Sequence, residues 1–323
     1  MSLPFTPVVL AAGKGSRMRS KLAKVLHPLA GRPLLGHVLD TVDAAGAGHA
    51  VLVLAPEMEE VQTFAASHAL PVEVAIQTPA LGTGHAVMAA RAALPQVGDV
   101  VVLFADTPFL EPATVERLVR ARAESGAAVA VLGMELADAG AYGRLVAGAD
   151  GLEAIVEAAQ ADAATRAIKL ANSGVMAFDG ARLGELLDAL EPRTARDGNA
   201  EYYLTDAVAA ARARGWRCVV ERAAPVEGLG INDRVELAAA EAILQERLRE
   251  AAMRAGVTLM DPASTHLAAD TAFGRDVVVE PHVVIGPGVT IEDDVRIRAF
   301  THIACDPPKD TKPIVLRRGA VVG

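Results

Sequence analysis

The sequence predicts two consecutive folds: an α/β domain on a mainly parallel sheet, then a short parallel β-helix of hexapeptide repeats. Three observations carry this. From about residue 5 to 230, short β-branched runs alternate with Ala-, Leu-, Glu- and Arg-rich stretches, the order of a parallel sheet covered by helices. Beyond residue 257 the texture changes, and apolar residues recur every six positions. Between the two lies a helical stretch, roughly 234–255, with Asn232 or Asp233 as cap and Gly256 just past its end. The domain limits follow: 1–232, a connecting helix over 233–256, and 257–323.

Each element has its own warrant. Residues 8–10, 50–54, 72–76, 100–104 and 127–132 are short apolar runs and read as strands. Residues 34–45, 59–68, 85–93 and 113–124 between them read as helices. In such sheets ligands sit outside the carboxyl ends of the strands, so motifs directly after a strand carry the most weight. The long helix presents Leu237, Glu241, Leu244 and Leu248 on one face. Phe273, Val279, Ile285, Ile291, Ile297 and Ile303 then mark the hexads, with Val277, Val283, Val289, Val295 and Thr301 four residues after the first five. In a three-sided coil each of these points inward and stacks on its equivalent one turn along. Lys309, among Pro307, Pro308 and Pro313, breaks the count and predicts a loop at one corner. Val315 and Val321 return to it, and about two coils precede the break.

Composition removes several classes. The 323 residues are 52% hydrophobic and 22% charged, too apolar for disorder. Lys plus Arg number 31 against 40 Asp plus Glu, a net charge of −9, and aromatics are 3%. That argues against a nucleic-acid surface but leaves room for a local phosphate pocket. Cys218 and Cys305 are no disulfide framework, and the histidines lack zinc-ligand spacing. No apolar run approaches the ~20 residues of a membrane span. Residues 1–6 lack the basic segment of a signal peptide, so the expected location is cytoplasmic.

The sharpest chemical signal is Leu10-Ala11-Ala12-Gly13-Lys14-Gly15-Ser16-Arg17-Met18, directly after the first strand. Glycines there let backbone N–H groups approach phosphate, either at a helix start or in a nest of amides, and Lys24 could lie over the same phosphates. The run is not a P-loop, and Met18 stands where a dinucleotide fingerprint needs its third glycine. Phe104-Ala105-Asp106 ends a hydrophobic strand, where a carboxylate suits Mg²⁺ or simply caps the turn before Thr107-Pro108. Gln77 with Leu81-Gly82-Thr83-Gly84-His85 offers amide and backbone groups, or a flexible loop before a helix in which His85 is structural.

These motifs continue in order through Tyr142-Gly143-Arg144, Ile155-Val156-Glu157, Asn172-Ser173-Gly174, Glu201-Tyr202-Tyr203-Leu204-Thr205-Asp206 and Gly230-Ile231-Asn232-Asp233-Arg234. The ordered set resembles the nucleotidyltransferases that activate sugar 1-phosphates. Most of all it resembles the bifunctional N-acetylglucosamine-1-phosphate uridyltransferase/glucosamine-1-phosphate acetyltransferase family, over almost the whole chain. The resemblance implies a Rossmann-like nucleotidyltransferase domain followed by a left-handed β-helix. It implies Mg²⁺-dependent uridylyl transfer from UTP to N-acetylglucosamine 1-phosphate, supplying a precursor of cell-wall polymers. Arg17 and Lys24 would then be catalytic. Leu10, Ala11, Ala12, Gly13, Gln77, Gly82, Thr83, Phe104 and Ala105 would surround the nucleotide. Gly143, Glu157, Asn172, Tyr203 and Thr205 would bind the sugar, and Asp106 and Asn232 would hold the metal. The expected partners are these two substrates, with no nucleic acid and no membrane, and the β-helix invites a homotrimer. The far coils that carry acetyl transfer in the family are absent, so that activity is not expected.

Three departures stand out. Ala23 replaces a Pro before Lys24, Phe104-Ala105 replaces Tyr-Gly before Asp106, and Ala158-Ala159-Gln160 replaces His-Lys-Asp after Glu157. The Ala105 methyl is expected where backbone approaches the nucleotide. Two alternatives therefore stay open: a sister enzyme with another base or sugar, and a non-catalytic nucleotide-sugar binder.

Overall fold

The computed structural model describes residues 3–95, 97–194, 198–303 and 313–323; Cys305 and the corner loop expected around Lys309 lie outside them. The chain divides into two compact units, Met1–Leu26 with Leu34–Gly230, and His27–Pro33 with Ile231–Gly323.

In the first unit, nine strands join one sheet among the described residues. They are β1 (Phe5–Leu10), β2 (Ala50–Leu54), β3 (Val72–Ile76), β4 (Asp99–Phe104), β5 (Val129–Glu135), β6 (Arg144–Gly148), β7 (Gly151–Val156), β8 (Leu170–Asp179) and β9 (Cys218–Ala223). The helices are α1 (Leu34–Ala44), α2 (Glu59–Ala66), α3 (Gly82–Ala89), α4 (Pro112–Ser125), α5 (Gly180–Asp188) and α6 (Asp206–Ala213), with α7 (Arg234–Arg254) in the second unit. The strand order is β9-β5-β8-β4-β1-β2-β3, with β6 pairing β8 and β7. β1 is parallel to β2 and β4, β2 to β3, and β5 to β9. β8 alone runs antiparallel to two neighbours on this path, Met176 facing Val102 of β4 and Val131 of β5.

Strand alternation sends side chains to two cores. Val9, Leu52, Leu103 and Leu132 pack with α1, α2 and α4, whereas Val8, Val51, Val102 and Val131 pack with α3, α5 and α6. The result is a three-layer α/β/α unit with both faces covered, which is why its central strands read as continuous apolar runs. Pro112 opens α4, and Gly126 closes it in the left-handed region at φ 64°. No helix among the described residues is long and apolar enough to cross a membrane.

The second unit is a parallel β-helix. Its three faces stack Leu259, Val279, Ile297 and Val322; Leu267, Ile285 and Ile303; and Phe273, Ile291 and Leu316. Two sequence expectations change here. The coil begins at Thr258, before the first predicted hexad, so two full coils and two sides of a third precede the break. After it, Leu316 and Val322 take the inward places, while Val315 and Val321 are 38% and 61% exposed. The inserted segment is one residue out of the six-count, which turns every following side chain to the other face. Asp276, His282, Gly288, Asp294 and Phe300 lie at φ between 56° and 73°, one left-handed corner per hexad, and only one is the glycine that sequence signals favour.

α7 folds with the β-helix instead of standing apart as a connector. Asp233, not Asn232, caps it, accepting from the Val235 and Glu236 amides at 2.9 Å. In the first coil the His266 and Ala268 amides point to the next coil, leaving the Leu267 peptide on the open edge. The Gln245 carboxamide, 1% exposed, closes that edge as a missing strand would. Its Oε1 accepts from Leu267 N (2.9 Å) and its Nε2 donates to Leu267 O (2.6 Å). Glu241 accepts from Gln245 Nε2 and from Ala30 N, which ties in His27–Pro33.

Replacing Gln245 by Leu should therefore destabilise the second unit by about 1–3 kcal/mol, the cost of buried backbone groups left unpaired. Hydrogen exchange across 258–303 measures it, and unchanged exchange would dismiss the edge-closing role. The Cys218 thiol is fully buried, and burial pushes it up to about 11. At pH 8 only about one such thiol in a thousand is ionised. Alkylation followed by peptide mapping should leave Cys218 unlabelled until the protein unfolds.

Candidate active site

β1 and β4 are adjacent and parallel, with Leu10 opposite Phe104, so the segments that follow them emerge at the same edge. After β1 no long helix begins. The loop passes through a single turn, Ser16–Met18, anchored by the buried Met18, and another, Lys24–Leu26. Both turns are short, and no helix of several turns follows the loop directly. Gly15 sits at φ 58°, and a Cβ there would lie 2.5 Å from Lys24 Cβ. The glycine is what lets the Lys24 stem cross the loop. Gly13 has open space around it.

Lys24 Nζ forms an ion pair with the Asp106 carboxylate, both side chains largely withdrawn from water. Asp106 does not cap its own turn, because the Thr107 hydroxyl and amide both donate to Phe104 O. No cluster of three or more His, Cys, Asp or Glu suited to a metal occurs among the described residues. One carboxylate at a strand end fits Mg²⁺ that arrives with phosphate oxygens of its own, and does not fit a resident ion held by protein alone.

Opposite this pair lies the first turn of α3. Gly82 (φ 88°) packs against the Tyr202 carbonyl, which accepts from Gly84 N at 2.8 Å, and Tyr202 N donates to Leu81 O at 2.8 Å. The turn is thus stitched down and is not the flexible loop the sequence allowed. Gln77 Nε2 donates to Gly82 O (2.9 Å) and sits 3.3 Å from His85 Nδ1, giving that histidine its structural place. The Gln77 oxygen accepts no hydrogen bond from the described residues. A cavity of about 330 Å³ lies between these walls. Leu10, Ala11, Ala12, Gly13, Lys24, Gln77, Gly82, Thr83, Phe104, Asp106 and Tyr203 line it, together with Val25, Ala80, Ala86 and Glu201.

A second cluster gathers the residues expected to meet the sugar. Glu157 Oε1 accepts from the Thr205 hydroxyl (3.3 Å), and a Cβ on Gly143 would lie 3.6 and 3.7 Å from the two Glu157 oxygens. Gly143 O accepts from Asn172 N at 2.8 Å. Asn172 Oδ1 is held by Gly174 N (2.9 Å), which leaves the amide Nδ2 as its group for a ligand. The register of β8 breaks between Asn172 and Met176, and Gly174 makes room for the Phe104 ring, 2.5 Å from where its Cβ would be. Tyr203 joins the two clusters. Burial, then its hydrogen bond to Glu201, then the Glu201 and Glu157 charges raise its pKa, so it stays a protonated donor.

Two expected residues, Ala105 and Arg17, do not line the cavity. Ala105 is fully buried and its methyl packs into the core, because alternation turns it away from the cavity that Phe104 and Asp106 line. Arg17 is exposed on its turn and does not line the cavity. Asn232 belongs to the second unit, where its amide donates to Glu236 at 2.6 Å. Ala23 packs against the core beside Val25, so the missing proline leaves the loop anchored. Glu201, which no chemical motif of the sequence marks as a site residue, also lines the cavity. Its signal was position: two residues before Tyr203, it falls on the same face of an extended segment.

Known proteins are similar to this chain in sequence and in fold. The family model for the MobA-like NTP transferase domain matches residues 7–175, and that for the bacterial transferase hexapeptide (six repeats) matches 270–305. The bifunctional protein GlmU of Paramagnetospirillum magneticum is 51% identical over 91% of the chain, and that of Xanthobacter autotrophicus 52% over 92%; the chain spans 65% of the length of each. The GlmU of Roseobacter denitrificans is 48% identical over 98% of the chain and 68% of its own length. Crystal structures of UDP-glucose pyrophosphorylase with and without UDP-glucose share the fold at 17% and 15% identity. Each covers 75% of this chain and 98% of its own, with TM-scores of 0.62 and 0.63.

The two glycines of the loop should behave differently. Gly15→Ala forces a strained backbone and displaces Lys24, costing about 1–3 kcal/mol in thermal or denaturant unfolding. Gly13→Ala, facing open space, should leave unfolding unchanged while weakening nucleotide binding measured by calorimetry. Equal stability of both variants would contradict the geometry.

Proposed function

The chain belongs to the bifunctional GlmU family, within the MobA-like NTP transferases, and from that premise we propose that it makes UDP-N-acetylglucosamine and pyrophosphate from UTP and N-acetylglucosamine 1-phosphate. The observation that carries the reading is the single cavity that places the Lys24–Asp106 pair opposite the Gln77–Gly82 turn. With Nε2 committed to Gly82, the Gln77 oxygen is an acceptor for a base whose edge carries an N–H. Uracil offers one at N3, guanine at N1, and cytosine and adenine an exocyclic amino group. Thymine shares the N3 donor, so this contact is compatible with uracil and does not by itself choose the base.

In the proposed step an oxygen of the sugar phosphate attacks the α-phosphorus of UTP. That P–O bond forms as the bond to the bridging β-oxygen breaks, and pyrophosphate leaves with the electron pair. No covalent enzyme intermediate is needed, so positioning and charge neutralisation carry the catalysis. Lys24 supplies mobile positive charge over the phosphates, and the Ala11–Ala12–Gly13 backbone lets them approach. Arg17 is proposed to join Lys24, and Asp106 to serve as a metal ligand. Bound Mg²⁺ would neutralise phosphate charge. Glu157, Asn172 Nδ2 and the Thr205 hydroxyl supply both acceptors and donors for sugar hydroxyls and the acetamido group. The reading places the enzyme in the cytoplasm, where nucleoside triphosphates are made, as a homotrimer through the β-helix. The Ala105 methyl, buried in the core, gives no support to a binder that has lost catalysis.

Pyrophosphate release with the four nucleoside triphosphates, each against N-acetylglucosamine and glucose 1-phosphates, tests the proposal. UTP with N-acetylglucosamine 1-phosphate should be the fastest pair. Asp106→Asn should lower kcat by about a hundredfold or more. Full activity in that variant, or UTP binding without turnover in the wild type, would overturn the reading.

A further inference from the structure

Arg144 opens β6 and is only 4% exposed. A guanidinium so buried normally faces a carboxylate, because a buried unpaired charge is costly. Among the described residues Arg144 has no such partner. Its donors go to backbone carbonyls instead. Nη1 donates to Ala139 O (3.4 Å) and to Tyr142 O, Nη2 to Gly140 O (3.2 Å), and Nε to Arg166 O (3.5 Å). Only the planar fork of a guanidinium meets four carbonyls from one position.

Those carbonyls belong to two segments. The first is the connection from β5 to β6, which turns at Gly140 (φ 44°) and delivers Gly143. The second is the single turn Ala163–Arg166, which follows Glu157 and is capped by Asp162. Gly143 lies between two clamped residues, Tyr142 and Arg144 itself, and its Cα is beside the Glu157 carboxylate. We infer that Arg144 is a positioning residue for the acceptor subsite: it ties the Gly143 loop to the segment after Glu157 without touching the acceptor. The inference rests on the uridylyl-transfer reading and adds to it the element that sets the sugar contacts. None of the four carbonyls belongs to a residue lining the nucleotide cavity, so UTP recognition should not depend on Arg144.

Arg144→Gln removes the charge and most of the donors, whereas Arg144→Lys keeps charge and three donors. In Arg144→Gln the KM for N-acetylglucosamine 1-phosphate should rise about tenfold or more, with the KM for UTP within about twofold of wild type. Arg144→Lys should recover most of that loss, and it stands in should the Gln variant not fold, then showing a smaller shift in the same KM only. Hydrogen exchange should quicken at 139–143 and 165–168 and not at 10–26. Equal changes in both KM values, or unchanged exchange at the two segments, overturn the inference. A wild-type protein inactive with this substrate pair refutes the uridylyl-transfer reading itself. The exchange comparison still decides whether the clamp exists, so the two failures read differently.

Discussion

The ion pair between Lys24 and Asp106 joins segments separated by 82 residues, and the candidate site is arranged around it. Neither residue could reach the other unless β1 and β4 were parallel neighbours, each ending at the same edge. The Ala105 amide donating to Leu10 O (3.1 Å) extends that pairing past the last ladder residue, and Ala11 N donating to Val53 O (2.9 Å) does the same on the other side. The loop is thus held on both flanks by the sheet. Only Gly15, the one residue type tolerant of that backbone and that closeness, allows the lysine stem to lie across it. Each charge of the pair satisfies the other where water is scarce. A bound polyphosphate with its cation would offer both a new partner of opposite sign.

A second constraint comes from the antiparallel strand β8. Inserted between β4 and β5, it interrupts the parallel order and carries an irregular stretch between Asn172 and Met176. The Ser173 hydroxyl donates to Leu132 O (2.8 Å) and accepts from Val175 N, repairing the ladder where the strand leaves it. Gly174 then makes room for the Phe104 ring, so the wall of the cavity and the Glu157–Asn172 cluster share one structural cause. A glycine at φ 88° facing an aromatic edge at that distance tolerates no side chain.

The second unit follows a different logic. Its coils stack like residues on like residues, so each rung reinforces the next. A solenoid must then close its open ends, and at the first coil a side-chain amide takes the place of a strand. Gln245 spends its whole carboxamide on one peptide and on Glu241, which is why a polar residue can be buried on this helix face.

Much of this was legible in the residues themselves. The six-residue period and the alternation of strands and helices are local patterns, repeated often enough to declare the fold class without coordinates. The loop after β1, Gln77, the Gly82 turn and Asp106 were legible for the same reason, since each follows a strand. What the sequence could not decide was anything set by register or by remote packing. The inward residues beyond the insertion are Leu316 and Val322, because the step is one residue longer than a multiple of six while the stacked strands keep their register. Ala105 points to the core because its neighbours on either side point to the cavity. Glu201 enters the site, and Asp233 takes the cap in place of Asn232, by backbone direction alone. The residue types of the site were written in the chain, and their orientation was decided by the sheet, since a side chain's facing depends on which strand lies beside it.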